Sequence, residues 1–344
     1  MTTIINSKQT VTVFGAYGHT GKFVVTELLK RGLTPVLSGR SKDKLEAIGS
    51  KYPHLKICPA SIDNPNELDN ALEGSTAVIN CAGPFLDTAT ALIEAALRNG
   101  IHYLDMTAEQ QSVLNTYERF TFEAKDKGIV ILPAMGFYGG LADLLATAAM
   151  AGWETADAID IAIALDSWEP TLGTRLTGKR NTYRRLIFSN NKLEFLADPP
   201  PTRKWEFSQP FGLQDVESLP FSETIIISKH LKVADINTYI NLAPLKDIRN
   251  SETPPPEATD ESGRSSQIFL VEVVARSGEE VRRVMATGQD IYAISAPLIV
   301  EATVRIAKGL IKKTGVVSPG DVFDATDFLK SLSPDYLSID ISEK

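Results

Sequence analysis

Three glycines stand in one early turn of the 344-residue sequence, Gly15-Ala16-Tyr17-Gly18-His19-Thr20-Gly21. The first permits a tight turn, the second lets the backbone come close to a phosphate, and the third lets a helix pack on a strand. The apolar run Val11–Phe14 precedes the turn, and the helical stretch Gly21–Arg31 follows it. A strand, turn and helix in this order present free N–H groups and the positive end of a helix dipole to a pyrophosphate. Gly15, Tyr17, Gly18, His19, Thr20 and Gly21 are therefore expected to form a dinucleotide site.

The end of the second strand, Pro35–Ser38, selects the cofactor. An NAD site places Asp or Glu there to bind the ribose 2′-hydroxyl. This sequence has Ser38-Gly39-Arg40-Ser41-Lys42 instead, with no carboxylate before Asp43. Arg40 can pair with a 2′-phosphate and stack on adenine, Ser41 can add a hydrogen bond, and Lys44 adds charge. The expected cofactor is NADP(H). Ser61 and Asp63 follow the third strand at the expected adenine edge, though Asp63 before Asn64-Pro65 reads equally as a helix cap. Cys81, Ala82, Gly83 and Pro84 follow the fourth strand, where the nicotinamide half should lie. Cys81 reads as a small buried residue rather than a nucleophile.

Hydride chemistry needs a substrate placed over the nicotinamide and a managed proton. Asp105 and Glu109 lie just past the fifth strand. Either could hold the carboxamide, bind a substrate ammonium or act as acid or base; Glu109 could equally compensate a helix dipole. His102 reads as a packed histidine. Tyr138, flanked by glycines after the sixth strand, is the favoured proton donor, with ordinary aromatic packing as its alternative. Asp143 reads as a cap. Arg175, Lys179, Arg180, Arg184 and Arg185 cluster in an otherwise acidic chain. Facing a cleft, Arg175 and Arg180 would hold a substrate carboxylate or phosphate; facing water, they form a solvated surface.

These residues need elements to position them. Short apolar strands at Val11–Phe14, Pro35–Ser38, Leu55–Cys58, Ala77–Cys81, His102–Met106 and Ile129–Leu132 alternate with helices. That pattern predicts an α/β doubly wound parallel Rossmann sheet. After the helix Leu141–Met150 the pattern changes to strands at Ile159–Leu165, Arg203–Ser208, Glu223–Ser228, Ile236–Leu242, Ile268–Ala275 and Val281–Thr287. They predict a second α+β domain on a mainly antiparallel sheet, with a mobile Pro-rich loop at Lys246–Ser266. Helices at Ile291–Lys313 and Ala325–Leu332 close the chain. The expected divisions are 1–138 for the dinucleotide domain, 139–288 for a substrate and oligomerisation domain, and 289–344 for a helical segment packing back on the first.

Composition narrows the function classes. Hydrophobic residues make up 43% and charged residues 23%, enough to bury a core without staples. The net charge of −8 argues against a nucleic-acid partner. Cys58 and Cys81 are isolated, so no metal site or disulfide scaffold is expected, and a reducing, cytoplasmic setting fits. Met1–Thr10 lacks the apolar core of a signal peptide. The stretch Ile129–Trp153 reads as a buried strand and helix rather than a membrane span.

Beyond these local readings, several motifs resemble the saccharopine dehydrogenase-like oxidoreductases, in particular the stand-alone branch that includes the trans-acting enoyl reductases. They are Gly15–Gly21, Ser38-Gly39-Arg40, Cys81-Ala82-Gly83-Pro84-Phe85, and His102-Tyr103-Leu104-Asp105 with Thr107-Ala108-Glu109. The likeness continues through Pro210-Phe211-Gly212, Asp290–Ala293, Ala296-Pro297 and Asp324-Ala325. It implies an NADP-dependent reductase or dehydrogenase acting on an imine, amine or enoyl group of a small molecule, and a homodimer. Gly136-Phe137-Tyr138-Gly139-Gly140 departs from the family, where an acidic or polar residue is common near Tyr138.

Overall fold

A computed structural model describes residues 9–342. Most of the N-terminal stretch expected to carry no leader lies outside the described residues. In chain order the first unit runs β1 (Thr10–Phe14), α1 (His19–Lys30), β2 (Thr34–Gly39), α2 (Lys42–Gly49), β3 (Ile57–Pro59), α3 (Pro65–Leu72), β4 (Ala77–Asn80), α4 (Phe85–Asn99), β5 (His102–Asp105), α5 (Gln110–Asp126) and β6 (Val130–Leu132). A tight turn, Phe137–Leu141, leads to α6 (Ala142–Ala149) and the second unit. This comprises β7 (Ala156–Leu165), α7 (Leu172–Arg180), β8 (Leu186–Ser189), β9 (Lys192–Phe195), β10 (Thr202–Glu206), β11 (Leu213–Ser218), α8 (Ser222–Ser228), β12 (Val233–Asn241), α9 (Leu242–Arg249), β13 (Ile268–Ser277) and β14 (Glu280–Gln289). The chain closes with α10 (Ser295–Ala307), β15 (Gly315–Val316), α11 (Pro319–Val322), α12 (Ala325–Leu332) and β16 (Ser338–Ser342).

The first sheet is parallel throughout, in the order β15-β6-β5-β4-β1-β2-β3. Its strands are buried on both faces, which is why Val11, Val13, Val36, Leu37, Val78 and Ile79 are all inside. Helix α1 turns Val24, Val25 and Leu28 toward the sheet, the spacing of one helical face. The order reverses between β1 and β4, and ligands of doubly wound sheets bind at that switch point. This is the expected doubly wound architecture with one strand more than the sequence pattern contains. Gly315 N donates to Ile129 O at 2.7 Å and Val317 N to Ile131 O at 3.0 Å, so a late segment completes the sheet. A two-residue strand leaves no periodicity to read.

The second sheet runs β10-β11-β12-β7-β13-β14-β16, with β8 and β9 attached at β12. It is mixed rather than wholly antiparallel, because β7 and β12 pair in parallel from Ala156↔Val233 to Ile163↔Ile240. The segment expected as a strand at Glu223–Ser228 is helix α8. Its run Ile225-Ile226-Ile227 is fully buried on all sides, and a short apolar run of this kind does not distinguish strand from helix. The helix expected over Ile291–Lys313 spans only Ser295–Ala307. Asp290, buried at φ +60, accepts the N–H groups of Tyr292 and Ala293 and so holds a turn ahead of it.

The C-terminal segment serves both sheets. Helix α10 packs on α1, where Arg31 Nη1 pairs with Glu301 Oε2 at 2.8 Å, while α12 packs on α6 and β16 pairs with β14. No helix among the described residues is long and apolar enough to cross a membrane.

Candidate active site

The glycine turn is tied to the neighbouring strand by its own backbone. Gly15 N and Ala16 N donate to Ser38 O at 2.8 and 3.1 Å, and Gly18 N donates to Gly15 O at 2.9 Å. The first bond of α1 runs from Lys22 N to Gly18 O, so the N–H groups of the preceding turn are free of helix partners. A Cβ on Gly21 would overlap the Gly15 carbonyl oxygen, which is why α1 can approach the turn so closely. The Tyr17 ring lies over Gly39, and Lys44 Nζ sits 5.7 Å from the ring centroid. Arg40 and Lys44 are exposed beside it. Ser41 takes the N-cap position of α2, but its hydroxyl makes no cap bond. Ser61 Oγ accepts the N–H of Asp63 at 3.3 Å, and Asp63 is exposed. Asn64, not Asp63, caps α3, accepting Glu67 N at 3.3 Å.

Two buried polar atoms at this end have no partner among the described residues, Ser38 Oγ and His19 Nε2. Buried polar atoms are normally hydrogen-bonded, so such orphans point to a missing ligand or water. Burial lowers the His19 pKa, with Asp290 opposing, and its ring meets Phe23 and Tyr292 edge-on at 5.4 and 5.5 Å. The free helix terminus, the Cβ-free cradle and the orphaned atoms fit a dinucleotide. Arg40, Ser41 and Lys44 would hold the 2′-phosphate, and Cys81 to Pro84 would flank the nicotinamide end.

A cavity of about 460 Å³ opens from that end. Thr20, Cys81, Gly83 and Glu109 line it from the first unit; Trp168, Phe221 and Tyr292 line it from beyond. Burial raises the pKa of the Cys81 thiol, which keeps it protonated. Tyr138 projects into the cavity from the Phe137–Leu141 turn. Gly139 there has φ +120, and a Cβ on it would meet Ser222 Oγ at 2.6 Å and Ala134 O at 2.7 Å. Glycine is thus required beside Tyr138. The phenol ring stacks on Phe221 at 4.2 Å and on Trp168 at 5.4 Å, yet its hydroxyl has no hydrogen-bond partner. Burial raises its pKa well above the ordinary value, with Tyr292 and Glu223 adding to the effect and Arg185 opposing it. The hydroxyl therefore keeps its proton at neutral pH.

Glu109 lines the same cavity while bracing its wall. Its carboxylate accepts Phe85 N at 3.2 Å and Leu86 N at 2.7 Å, the first turn of α4. Burial raises its pKa to about 7, the two N–H groups opposing and the Asp105 and Asp87 charges reinforcing.

Asp105 does not reach the cavity. It is fully buried, accepting Tyr103 Oη at 2.8 Å, Ala134 N at 2.8 Å and Thr107 N at 3.0 Å. It holds the ends of β5 and β6 together, and burial raises its pKa. His102 is packed as expected: its Nδ1 accepts Val130 N at 3.0 Å. Arg175 and Arg180 also stay off the cavity surface. Arg175 donates to Asn250 O and Thr253 O, and Arg180 pairs with Asp87 at 2.8 Å. Arg185, from the same basic run, is the member that lines the cavity. Trp168 and Phe221 carried no signal in sequence, because each reads as an ordinary core aromatic, and Tyr292 stood out only as part of the Asp290–Ala293 motif. Among the described residues no cluster of His, Cys, Asp and Glu is placed to hold a metal.

Fold and site together define a dinucleotide-binding α/β protein with a second, mixed-sheet unit closing over the nicotinamide end. Residues 11–132 match the family model of the saccharopine dehydrogenase NADP binding domain, which supports NADP(H) as the cofactor of this part of the chain. It is 32% identical over 150 residues to a human saccharopine dehydrogenase-like oxidoreductase, covering 38% of this chain and 35% of that one. A trans-acting enoyl reductase from Mycobacterium bovis is 26% identical over 133 residues, covering 37% and 32%. The matches thus span about a third of the curated relatives. Over 97% of this chain and all of the other, the fold resembles an apo saccharopine dehydrogenase (L-Glu forming) from Saccharomyces cerevisiae, at TM-score 0.65 and 10% identity.

Proposed function

We propose that the protein is an NADPH-dependent oxidoreductase that reduces a C=N or C=C bond of a small molecule held in the 460 Å³ cavity. The observation that carries this reading is the continuity of that cavity, from Thr20 and Gly83 at the dinucleotide turn to Tyr138 and the aromatic wall around it. Names borne by relatives, oxidoreductase and enoyl reductase, support the class.

When bound, NADPH supplies the hydride. The chain supplies the rest. The glycine turn and Arg40 bind the two phosphate ends. Glu109 braces the first turn of α4, and with it the Gly83-Pro84 segment. The aromatic wall of Tyr138, Phe221 and Trp168 excludes water and orients an unsaturated group. We assign Tyr138, whose buried hydroxyl has no partner among the described residues, as the donor of the proton to the substrate atom that gains electron density.

The test is to follow NADPH consumption with a panel of cyclic imines and enoyl thioesters. Turnover on at least one supports the reading. Tight NADPH binding with no consumption on any of them would identify a non-catalytic NADPH-binding regulator instead.

A further inference from the structure

Arg185 lines the cavity without a bonded carboxylate among the described residues. Its Nη1 donates to Pro220 O at 2.7 Å, and its guanidinium lies 4.8 Å from the Phe221 ring centroid. Among the described residues its side chain makes no other hydrogen bond, and no carboxylate comes within 4.0 Å of it. Glu223 acts on it only at longer range. Arg185 is partly buried, which lowers its pKa against the opposing effects of Glu223 and Tyr138, and no described carboxylate is bonded to it. The other arginine on the cavity surface, Arg249, differs: it is exposed and paired with Glu217 at 2.9 Å.

Arg185 also lies where two cavities meet. It and Asn181 border both the 460 Å³ cavity and a smaller one of about 100 Å³, which Arg184 and Gln111 also line. The small annex is polar and cationic. The large cavity is walled mainly by apolar and aromatic side chains, including Phe85, Phe137, Trp168, Leu219, Leu245 and Ile248.

We propose that the ligand of this cavity is an apolar, unsaturated monoacid whose carboxylate pairs with Arg185 at the annex while its body lies against Tyr138, Phe221 and Trp168. This rests on the cavity being the substrate site. A guanidinium and a carboxylate form paired, charge-assisted hydrogen bonds that replace the missing counter-ion. A flat conjugated body matches the ring stack. The same cavity disfavours an amino acid. Among the described residues, the one carboxylate that lines the cavity, Glu109, already accepts two backbone N–H groups and has its pKa raised to about 7, so it offers an ammonium a weaker partner than Arg185 offers a carboxylate.

The experiment is calorimetric titration of the NADP⁺-saturated protein with trans-cinnamate, trans-cinnamamide and phenylalanine. Cinnamate should bind at least about tenfold more tightly than its amide, the scale of one charge-assisted pair. Arg185→Met should erase that preference and Arg185→Lys should keep part of it. Unchanged NADP⁺ affinity in both variants would show that they are folded. Failure of cinnamate to bind, equal affinity for acid and amide, an unchanged preference in Arg185→Met, or tighter binding of phenylalanine would each overturn the proposal. The two readings fail separately. An acid preference with no NADPH turnover on any substrate removes the reductase and leaves the ligand class. Equal kcat/KM on acids and their amides removes the ligand class and leaves the reductase.

Discussion

Glu109 Oε2 accepts the backbone N–H of Leu86 at 2.7 Å, so a carboxylate ahead of α5 caps the first turn of α4 across the cavity wall. Its pKa is nevertheless raised to about 7, because burial outweighs the two N–H donors. The folded chain then holds a proton that the unfolded chain has lost, between about pH 4.5 and 7. Stability must fall as pH rises through that window, by at most about 3 kcal/mol from this group. Glu109→Gln removes the ionisation and should flatten the fall. Urea midpoints of both proteins at about pH 5 and about pH 7.5 provide the check. Parallel loss in wild type and variant would show that Glu109 does not titrate there.

Arg40, Ser41 and Lys44 gather at the exposed end of β2, with no acidic residue in the position that a ribose 2′-hydroxyl requires. NADPH should therefore bind more tightly than NADH, by about tenfold or more. Arg40→Ala should remove most of that gap and leave NADH affinity nearly unchanged. Equal affinities in the unmodified protein would contradict this role for Arg40.

Removing the Tyr138 hydroxyl separates chemistry from stability. The hydroxyl has no partner, so Tyr138→Phe deletes a buried, unsatisfied polar group and keeps the ring stack. The melting temperature should hold or rise. Turnover should fall by about a hundredfold, at the low end of what a positioned acid contributes, with NADPH affinity unchanged. Unaltered turnover would take Tyr138 out of the mechanism.

Gly21→Ala is expected to be far more damaging than an ordinary Gly→Ala change in a helix. The new methyl would overlap the Gly15 carbonyl oxygen, which is backbone and cannot rotate away. Helix α1 must back off the turn, costing about 1–3 kcal/mol of stability, and the turn loses its phosphate-binding shape. Urea denaturation and NADPH titration should both register the change. A variant with native affinity would mean that the turn does not hold the pyrophosphate.

The sequence by itself determined the dinucleotide half. Glycine spacing, strand-helix alternation and the Ser38-Gly39-Arg40 corner act over a few residues, so their physics is local and legible. Tertiary structure decided what depends on distant segments. Asp105 ends as a buried strand clamp, because Tyr103, Thr107 and Ala134 close around it. The Ile225–Ile227 run becomes a helix, because it is surrounded by core on every side and no alternation is imposed on it. Late residues Gly315 and Val316 complete the first sheet through backbone bonds that leave no side-chain pattern. Within one basic run, Arg175 and Arg180 find partners in a loop and at α4, while Arg185 is left facing the cavity. Composition shows how many charges a segment carries; only packing shows which of them lacks a counter-ion.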